Sequence, residues 1–439
     1  MRAHAVLLVL ALVSGLVGIG QPAAAAAPNP PAPTPVVSGN KILDSRTGAT
    51  WVPHGVNWPS FEYACSQGWA YAQDDDTAAA ATAMASWGIN AVRVPLNQNC
   101  WLVSDSSDYG TAAGYRAAVL AWVNILNAHG MVVILDLHFS APPGQHALGQ
   151  WPMADSNSAV FWTSVATAYA SNPSIIFDAF NEPYSIWNRA TNSYSFQLTW
   201  NCWENGGCLA PLVTIDQVPV SGGGAGTYTV VGVSRLVAAI RSSNAAQPIM
   251  LGGIDYSNNL SGWLAHKPAD SQLIASWHNY QGQSPCGNTT QCWNLEAGAV
   301  AASVPIVTGE FGETDGSSAY MSTFMTWADA TGVGYLPWAW WNADGLSGDN
   351  SLYALFSGSN FTPHAPTGTN YKAHLAALPA PTVRVFHTLP APITDPLLAA
   401  SAAPETTTTA TPLQVHRVSA PELAQLALTS QRNLRISSR

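Results

Sequence analysis

Two kinds of apolar pattern alternate along the middle of the chain. Short apolar runs that end on a polar residue or a breaker read as buried strands. They fall at residues 52–57, 89–95, 131–138, 175–181, 248–252, 273–280, 305–310 and 334–341. Ala-rich stretches between them, at 77–87, 114–129, 159–170, 231–242 and 320–330, read as helices. This alternation is the pattern of a parallel α/β fold, and eight strands with helices between them predict a (β/α)8 TIM barrel. A doubly wound open sheet is the alternative, but no Gly-x-Gly-x-x-Gly follows the first strand. Residues 37–51 predict a small hairpin that plugs the barrel floor.

The pattern stops at both ends. Residues 1–27 begin with Met1-Arg2-Ala3-His4, continue with an apolar run at 5–19 that is short for a bilayer, and close on small residues. That is the form of an export signal, with cleavage expected near Ala25 to Ala27. Its removal also removes the membrane candidate, so the mature chain is expected to be secreted and to have no membrane partner. Residues 28–36 read as a Pro/Ala-rich linker and 37–378 as a single barrel domain. Residues 379–439 are rich in Ala, Pro and Thr, with no aromatic residue after Phe386, and are expected to be disordered.

Composition narrows the class. A chain of 439 residues with 47% hydrophobic content can bury a large core. A net charge of -10 argues against nucleic acid or an anionic membrane as partner. Six cysteines, an even number in an exported chain, point to disulfides. Spacing leaves their connectivity open, and local pairs are the simplest expectation: Cys202 with Cys208, Cys286 with Cys292, and Cys65 with Cys100. No Cys-x-x-Cys or His-x-x-x-His occurs, so no metal site is expected.

The predicted strand ends carry the candidate chemistry. Phe177-Asp178-Ala179-Phe180-Asn181-Glu182-Pro183-Tyr184 leads from an apolar run to a breaker, which sets Asn181 and Glu182 where a strand opens into a loop. Burial there would raise the Glu182 pKa, as a general acid near neutral pH requires. Glu310 closes a second apolar strand in Thr308-Gly309-Glu310-Phe311-Gly312. Either glutamate alone reads equally well as a cap or an ion-pair partner. Two at two strand ends match the carboxylate pair of a glycosidase. Arg93, His138, His278 and Tyr280 lie at further strand ends, His278 and Tyr280 two apart and so on one side. Asp136, Asp178 and Glu313 are read as structural.

Asn181-Glu182-Pro183, together with Glu310 in Thr-Gly-Glu-Phe-Gly, resembles glycoside hydrolase family 5, the cellulase-type members of clan A, over about residues 41–378. The resemblance implies Glu182 as acid/base, Glu310 as nucleophile and Asn181 as partner of the sugar 2-hydroxyl. It places Arg93 beside Glu310, His138 and His278 in the same subsite, and Tyr280 on the nucleophile. It also implies a stacking tryptophan on the last strand. Trp340 fits a Trp-x-Trp pattern, while Trp341 stands where many relatives carry Asn. Retention of configuration follows, with carboxyl groups roughly 5–5.5 Å apart and no cofactor. The implied substrate is a β-1,4-glucan, with mannan and β-1,3-glucan as alternatives, cut by a monomer. A secreted sugar-binding barrel without catalysis is the rival from another class. Most of the eighteen tryptophans are expected in the core. Residues 185–229, with Trp187, Trp200 and Trp203, are expected to wall one side of the cleft. The tail has none of the tryptophans of a cellulose-binding module.

Overall fold

The structure, a computed structural model, describes residues 30–72, 76–103, 110–188, 191–212, 226–283 and 288–379. The expected export signal, the glycine run at 222–224, Cys286 and the tail from residue 380 onward lie outside the described residues.

An antiparallel hairpin of Pro35–Ser38 and Lys41–Asp44 comes first. Eight parallel strands follow: β1 (Gly55–Asn57), β2 (Ala91–Asn97), β3 (Val132–Phe139), β4 (Ile175–Asp178), β5 (Ile249–Gly252), β6 (Leu273–Tyr280), β7 (Ile306–Gly312) and β8 (Gly334–Pro337). Each pairs with its neighbours in chain order. β8 returns to the start of β1 through a parallel bridge between Tyr335 and His54, where Tyr335 N donates to Pro53 O at 2.8 Å. The sheet thus closes as a (β/α)8 barrel.

Helices α1 (Ala78–Ser86), α2 (Ala112–Ala128), α3 (Ser156–Tyr169), α4 (Val233–Arg241) and α5 (Trp263–His266) follow β1 to β5 in turn. After β6 the helical segment is Thr290–Trp293, a π turn at Asn294–Gly298 and Ala299–Ala301. α6 (Ala319–Thr331) follows β7, and α7 (Thr367–Ala377) follows β8. Thr77, Thr111 and Asp155 cap α1, α2 and α3 with side-chain oxygens that accept backbone N–H groups, as residues of this type do at helix starts.

Strand parity divides the interior into two cores. Outward residues such as Val92, Val133, Leu135, Phe177, Leu251 and Trp277 pack beneath the helices. Inward residues Ala91, Val132, Ile134, Ile176, Met250, Ile274, Val307 and Leu336 fill the lower barrel, where Ile42 and Trp51 of the N-terminal segment close the floor. Two residues further along several strands the inward side chain becomes polar: Arg93 above Ala91, Asp136 above Ile134, Asp178 above Ile176, Ser276 above Ile274. The site is therefore built on a buried, apolar base.

The expected linker at 28–36 is a packed segment from residue 30 onward. Ala32 and Thr34 are buried, and the Asp44 carboxylate accepts both Thr34 N and Thr34 Oγ1 at 3.0 Å. Asp44 supplies a fixed anion that the Pro/Ala composition did not reveal. No helix among the described residues is long and apolar enough to cross a membrane.

Two of the expected disulfides are formed, Cys65–Cys100 and Cys202–Cys208. Cys292 is also disulfide-bonded. Cys65–Cys100 joins the loop after β1 to the short helix after β2, across 35 residues of sequence. A closed loop of that size restricts the unfolded chain by roughly 3–4 kcal/mol. The double variant Cys65→Ser/Cys100→Ser is expected to lower the thermal midpoint by several degrees, as measured by calorimetry on oxidised protein. An unchanged midpoint would mean the bond contributes nothing to stability.

Candidate active site

Arg93 organises the polar layer. Fully buried, its guanidinium donates through Nε to Asp178 at 2.9 Å and through Nη1 to Glu310 Oε1 at 2.8 Å and Asn57 Oδ1 at 3.0 Å. Nη2 donates to Asn181 Oδ1 at 2.7 Å and lies 3.0 Å from Asp136 Oδ2. Five side chains from β1, β3, β7 and the end of β4 are thereby set in one plane by one rigid fork. One cation faces three carboxylates, and burial holds the Asp136–Asp178 pair above the ordinary carboxylate range. Arg93 itself stays protonated, since the same carboxylates favour its charge.

Above this layer stand the two glutamates, both nearly buried. Glu310 accepts from Arg93 on one oxygen and from Tyr280 Oη, at 2.7 Å, on the other. Glu182 meets His278 Nδ1 at 2.9 Å. Burial lifts the Glu182 carboxyl to about 7. Burial also lowers the imidazoles, His138 to about 4 and His278 to about 3, so both rings are neutral near pH 7. The ligand-type atoms of Glu182, His278 and Glu310 all lie within 4.8 Å of one another. Such a trio could share a metal ion, although the His278–Glu182 hydrogen bond already links two of its members.

His138 is held by Asp136, whose Oδ2 is 2.7 Å from Nδ1, and its ring stacks on Trp338 with centroids 5.5 Å apart and planes at 18°. Asn181 has its Oδ1 fixed by Arg93, while its buried Nδ2 has no hydrogen-bond partner among the described residues. That leaves its amide NH2 group, next in sequence to Glu182, without an acceptor among the described residues.

Seven of the eight expected residues, Arg93, His138, Asn181, Glu182, His278, Tyr280 and Glu310, come together here. Trp340 does not. It is fully buried on the outer side of the barrel, against Trp87, Phe356 and Phe361. β8 ends at Pro337, so a two-residue period cannot be carried as far as residue 340. Trp338 takes the place beside His138, and Trp341 meets Trp338 edge-on at 5.6 Å. The signal for Trp338 is its position two residues after the inward-facing Leu336. Asp136 and Asp178 also belong to the site's support. Their strand parity matches His138 and Arg93, which is visible in the sequence once the strands are registered.

The loop after β5 braces this centre from one side. Asp255, Tyr256 and Ser257 have φ of 52°, 60° and 57°, three consecutive left-handed residues without a glycine. Each such residue costs about 1–2 kcal/mol, so only strong local bonding holds the turn. Tyr256 N donates to Pro183 O at 2.9 Å, Ser257 Oγ donates to Asn181 O at 2.7 Å, and His278 N donates to Ser257 O at 3.0 Å.

The insertion after Glu182 forms a hairpin of Ile186–Asn188 and Ser193–Phe196, a helix at Trp200–Asn205, and a second hairpin of Leu209–Pro211 and Thr227–Thr229. Trp203 is buried and ties the insertion to the end of β5 by donating to Gly252 O at 2.9 Å. Trp187 and Tyr194 are cross-strand partners whose exposed rings meet edge to face at 4.8 Å.

Comparison with known proteins agrees with the fold. The structure is similar to a beta-glucanase from Saccharophagus degradans, with TM-score 0.58 and 19% identity over 79% of this chain and 93% of that one. It is similar to a hyperthermophilic endocellulase from the archaeon Pyrococcus horikoshii, with TM-score 0.59 and 18% identity over 79% and 100%. The catalytic domain of a Thermobifida fusca endoglucanase gives TM-score 0.52 and 15% identity over 78% and 97%. At the level of sequence, residues 49–344 match the model of the cellulase family, glycosyl hydrolase family 5. With that match spanning most of a closed (β/α)8 barrel, the chain belongs to glycosyl hydrolase family 5 and is a glycoside hydrolase.

Proposed function

We propose that this hydrolase is a secreted, retaining endo-β-1,4-glucanase in which Glu182 is the acid/base and Glu310 the nucleophile. The observation that carries the mechanism is the approach of carboxylate oxygens from the two glutamates to within 4.8 Å. Retaining enzymes hold their carboxyl groups about 5–5.5 Å apart, whereas inverting ones need about 6.5–9.5 Å to admit a water.

The two environments support the division of roles. Glu310 faces a guanidinium and a phenol hydroxyl, both of which favour a carboxylate. Glu182 faces a neutral histidine in a buried setting that favours the protonated acid. In the first step Glu310 attacks the anomeric carbon while Glu182 gives its proton to the departing glycosidic oxygen. The C1–O bond breaks as the glycosyl–Glu310 ester forms. In the second step Glu182, now a carboxylate, takes a proton from water, which attacks C1 and releases Glu310. The spare Asn181 N–H supports recognition of the sugar 2-hydroxyl, and Trp338 offers an aromatic face beside His138.

For the substrate, support comes from relatives. The S. degradans beta-glucanase and the P. horikoshii endocellulase have each been seen in complex with cellotetraose. The exposed Trp187–Tyr194 pair, on the hairpin that follows Glu182 in sequence, suits a cleft that holds several sugar units of a long chain. Secretion rests on the export-type segment at residues 1–27 and on the disulfides.

A panel of carboxymethylcellulose, barley glucan, laminarin and mannan tests this reading. The expected result is a rapid fall in viscosity of carboxymethylcellulose with oligosaccharides of mixed length, and products released in the β configuration by proton NMR. Activity confined to mannan or laminarin would refute the substrate, and α products would refute the mechanism.

A further inference from the structure

We infer that the left-handed turn Asp255–Ser257 positions the acid/base pair, and that Ser257 is the positioning residue through which it acts. The inference rests on the role proposed for Glu182. Three hydrogen bonds of the turn reach the two segments whose side chains must meet, while Asp255 is bonded within the loop to Asn258 N and Asn259 Nδ2. On one side are Ser257 Oγ to Asn181 O and Tyr256 N to Pro183 O, which hold the backbone before and after Glu182. On the other is His278 N to Ser257 O, and Asn258 Nδ2 adds a donor to His278 O at 2.7 Å. Ser257 is fully buried and uses both its hydroxyl and its carbonyl in this bridge.

Neighbouring residues are shaped to keep the hydroxyl in place. A β-carbon at position 252 would lie 2.2 Å from Ser257 Oγ and 3.3 Å from Asn181 O, so only glycine leaves room for the bond. Asn258 O accepts Trp277 Nε1 at 2.8 Å, which anchors the end of the turn to β6. Tyr256 stacks on Tyr184 with planes at 7° and centroids 5.1 Å apart, adding a second hold on the loop after Glu182. A strained turn whose polar groups converge on Glu182 and His278 fixes their spacing more firmly than either strand end could alone. The charged and titratable groups that face Glu182 from the surrounding strands are Arg93, Asp136, His138, His278 and Glu310. None of them bonds to the Ser257 hydroxyl.

The test compares wild type and Ser257→Ala on a β-glucan and on dinitrophenyl β-cellobioside, whose leaving group needs no acid. A loosened Glu182 is expected to lower kcat on the glucan about tenfold with KM little changed, since general-acid catalysis is worth about 10²–10⁴-fold when intact. The burst on the dinitrophenyl substrate should stay within about twofold of wild type, because acid assistance is not needed for that step. The alkaline limb of the glucan profile is also expected to move. Where the alanine variant does not fold, Ser257→Cys keeps the volume with a weaker donor and carries the same expectation. Equal losses on both substrates with an unmoved limb, or no loss on either, would overturn the inference. A wild-type protein inactive on both substrates would instead overturn the proposed reaction, and the inference with it.

Discussion

Glu310→Ala is expected to lower turnover by at least several powers of ten, and azide or formate is expected to restore part of the rate. The surroundings of Glu310 explain both halves of this result. Arg93 Nη1 and Tyr280 Oη donate to its two oxygens, and both donors remain when the carboxylate is deleted. They leave a cradle that suits a small anion, placed on the face of the sugar that the nucleophile would attack. Azide held there should attack C1 of an aryl β-cellobioside and give the α-glycosyl azide. Near-normal activity of the variant would remove Glu310 from the mechanism. A β-glycosyl azide from it would exchange the roles of the two glutamates.

Glu182→Ala should behave differently on two kinds of substrate. On a natural glucan both steps lose their proton transfer, and activity should fall by about 10²–10⁴-fold or more. On an aryl glycoside with a good leaving group the first step needs no acid, so phenol should appear as a burst before slow turnover. Azide should then rescue the second step and yield the β-glycosyl azide. The pH dependence follows from the raised carboxyl. With Glu182 as the proposed acid, the first step needs it protonated, so the wild-type rate on glucan is expected below about 7 and is expected to fall as pH rises through that value. In the variant this alkaline limb should vanish. An intact limb in Glu182→Ala would assign the acid to another residue.

Much of this architecture can be read from the sequence because the barrel is locally encoded. Each strand is an apolar run, and seven of the eight expected ranges have at least one end within a residue of the observed bounds. The expected range of the last strand runs four residues past its observed end. β8 stops at Pro337; beyond it Trp338 N still donates to Phe311 O of β7, Ala339 N leaves the barrel strands for Tyr353 O, and Trp340 N donates across to Asn57 O of β1. The Trp-x-Trp pattern masks that change and selects Trp340, whereas the parity of Leu336 selects Trp338. His278 and Tyr280 show the opposite case. They reach the same site even though the β6–β7 register shifts at Trp277/His278.

Other parts were hidden because they depend on long-range bonding. Strand parity turns Asp136 and Asp178 inward, but only the Arg93 fork shows that both brace the cation that holds Glu310. The left-handed turn is hidden for the same reason. Asp255-Tyr256-Ser257 contains no glycine to announce positive φ, and its conformation is imposed by partners at residues 181, 183 and 278.

The burial of the Arg93 fork also bears on brine. Dissolved ions weaken exposed charge pairs within a screening length of about 8–10 Å, but reach buried pairs far less. Arg93, Asp136 and Asp178 are wholly enclosed, and Glu310 is exposed only at its rim. The electrostatics that hold Glu310 are therefore insulated from the medium, and added salt is expected to leave the charge balance of this layer largely unchanged.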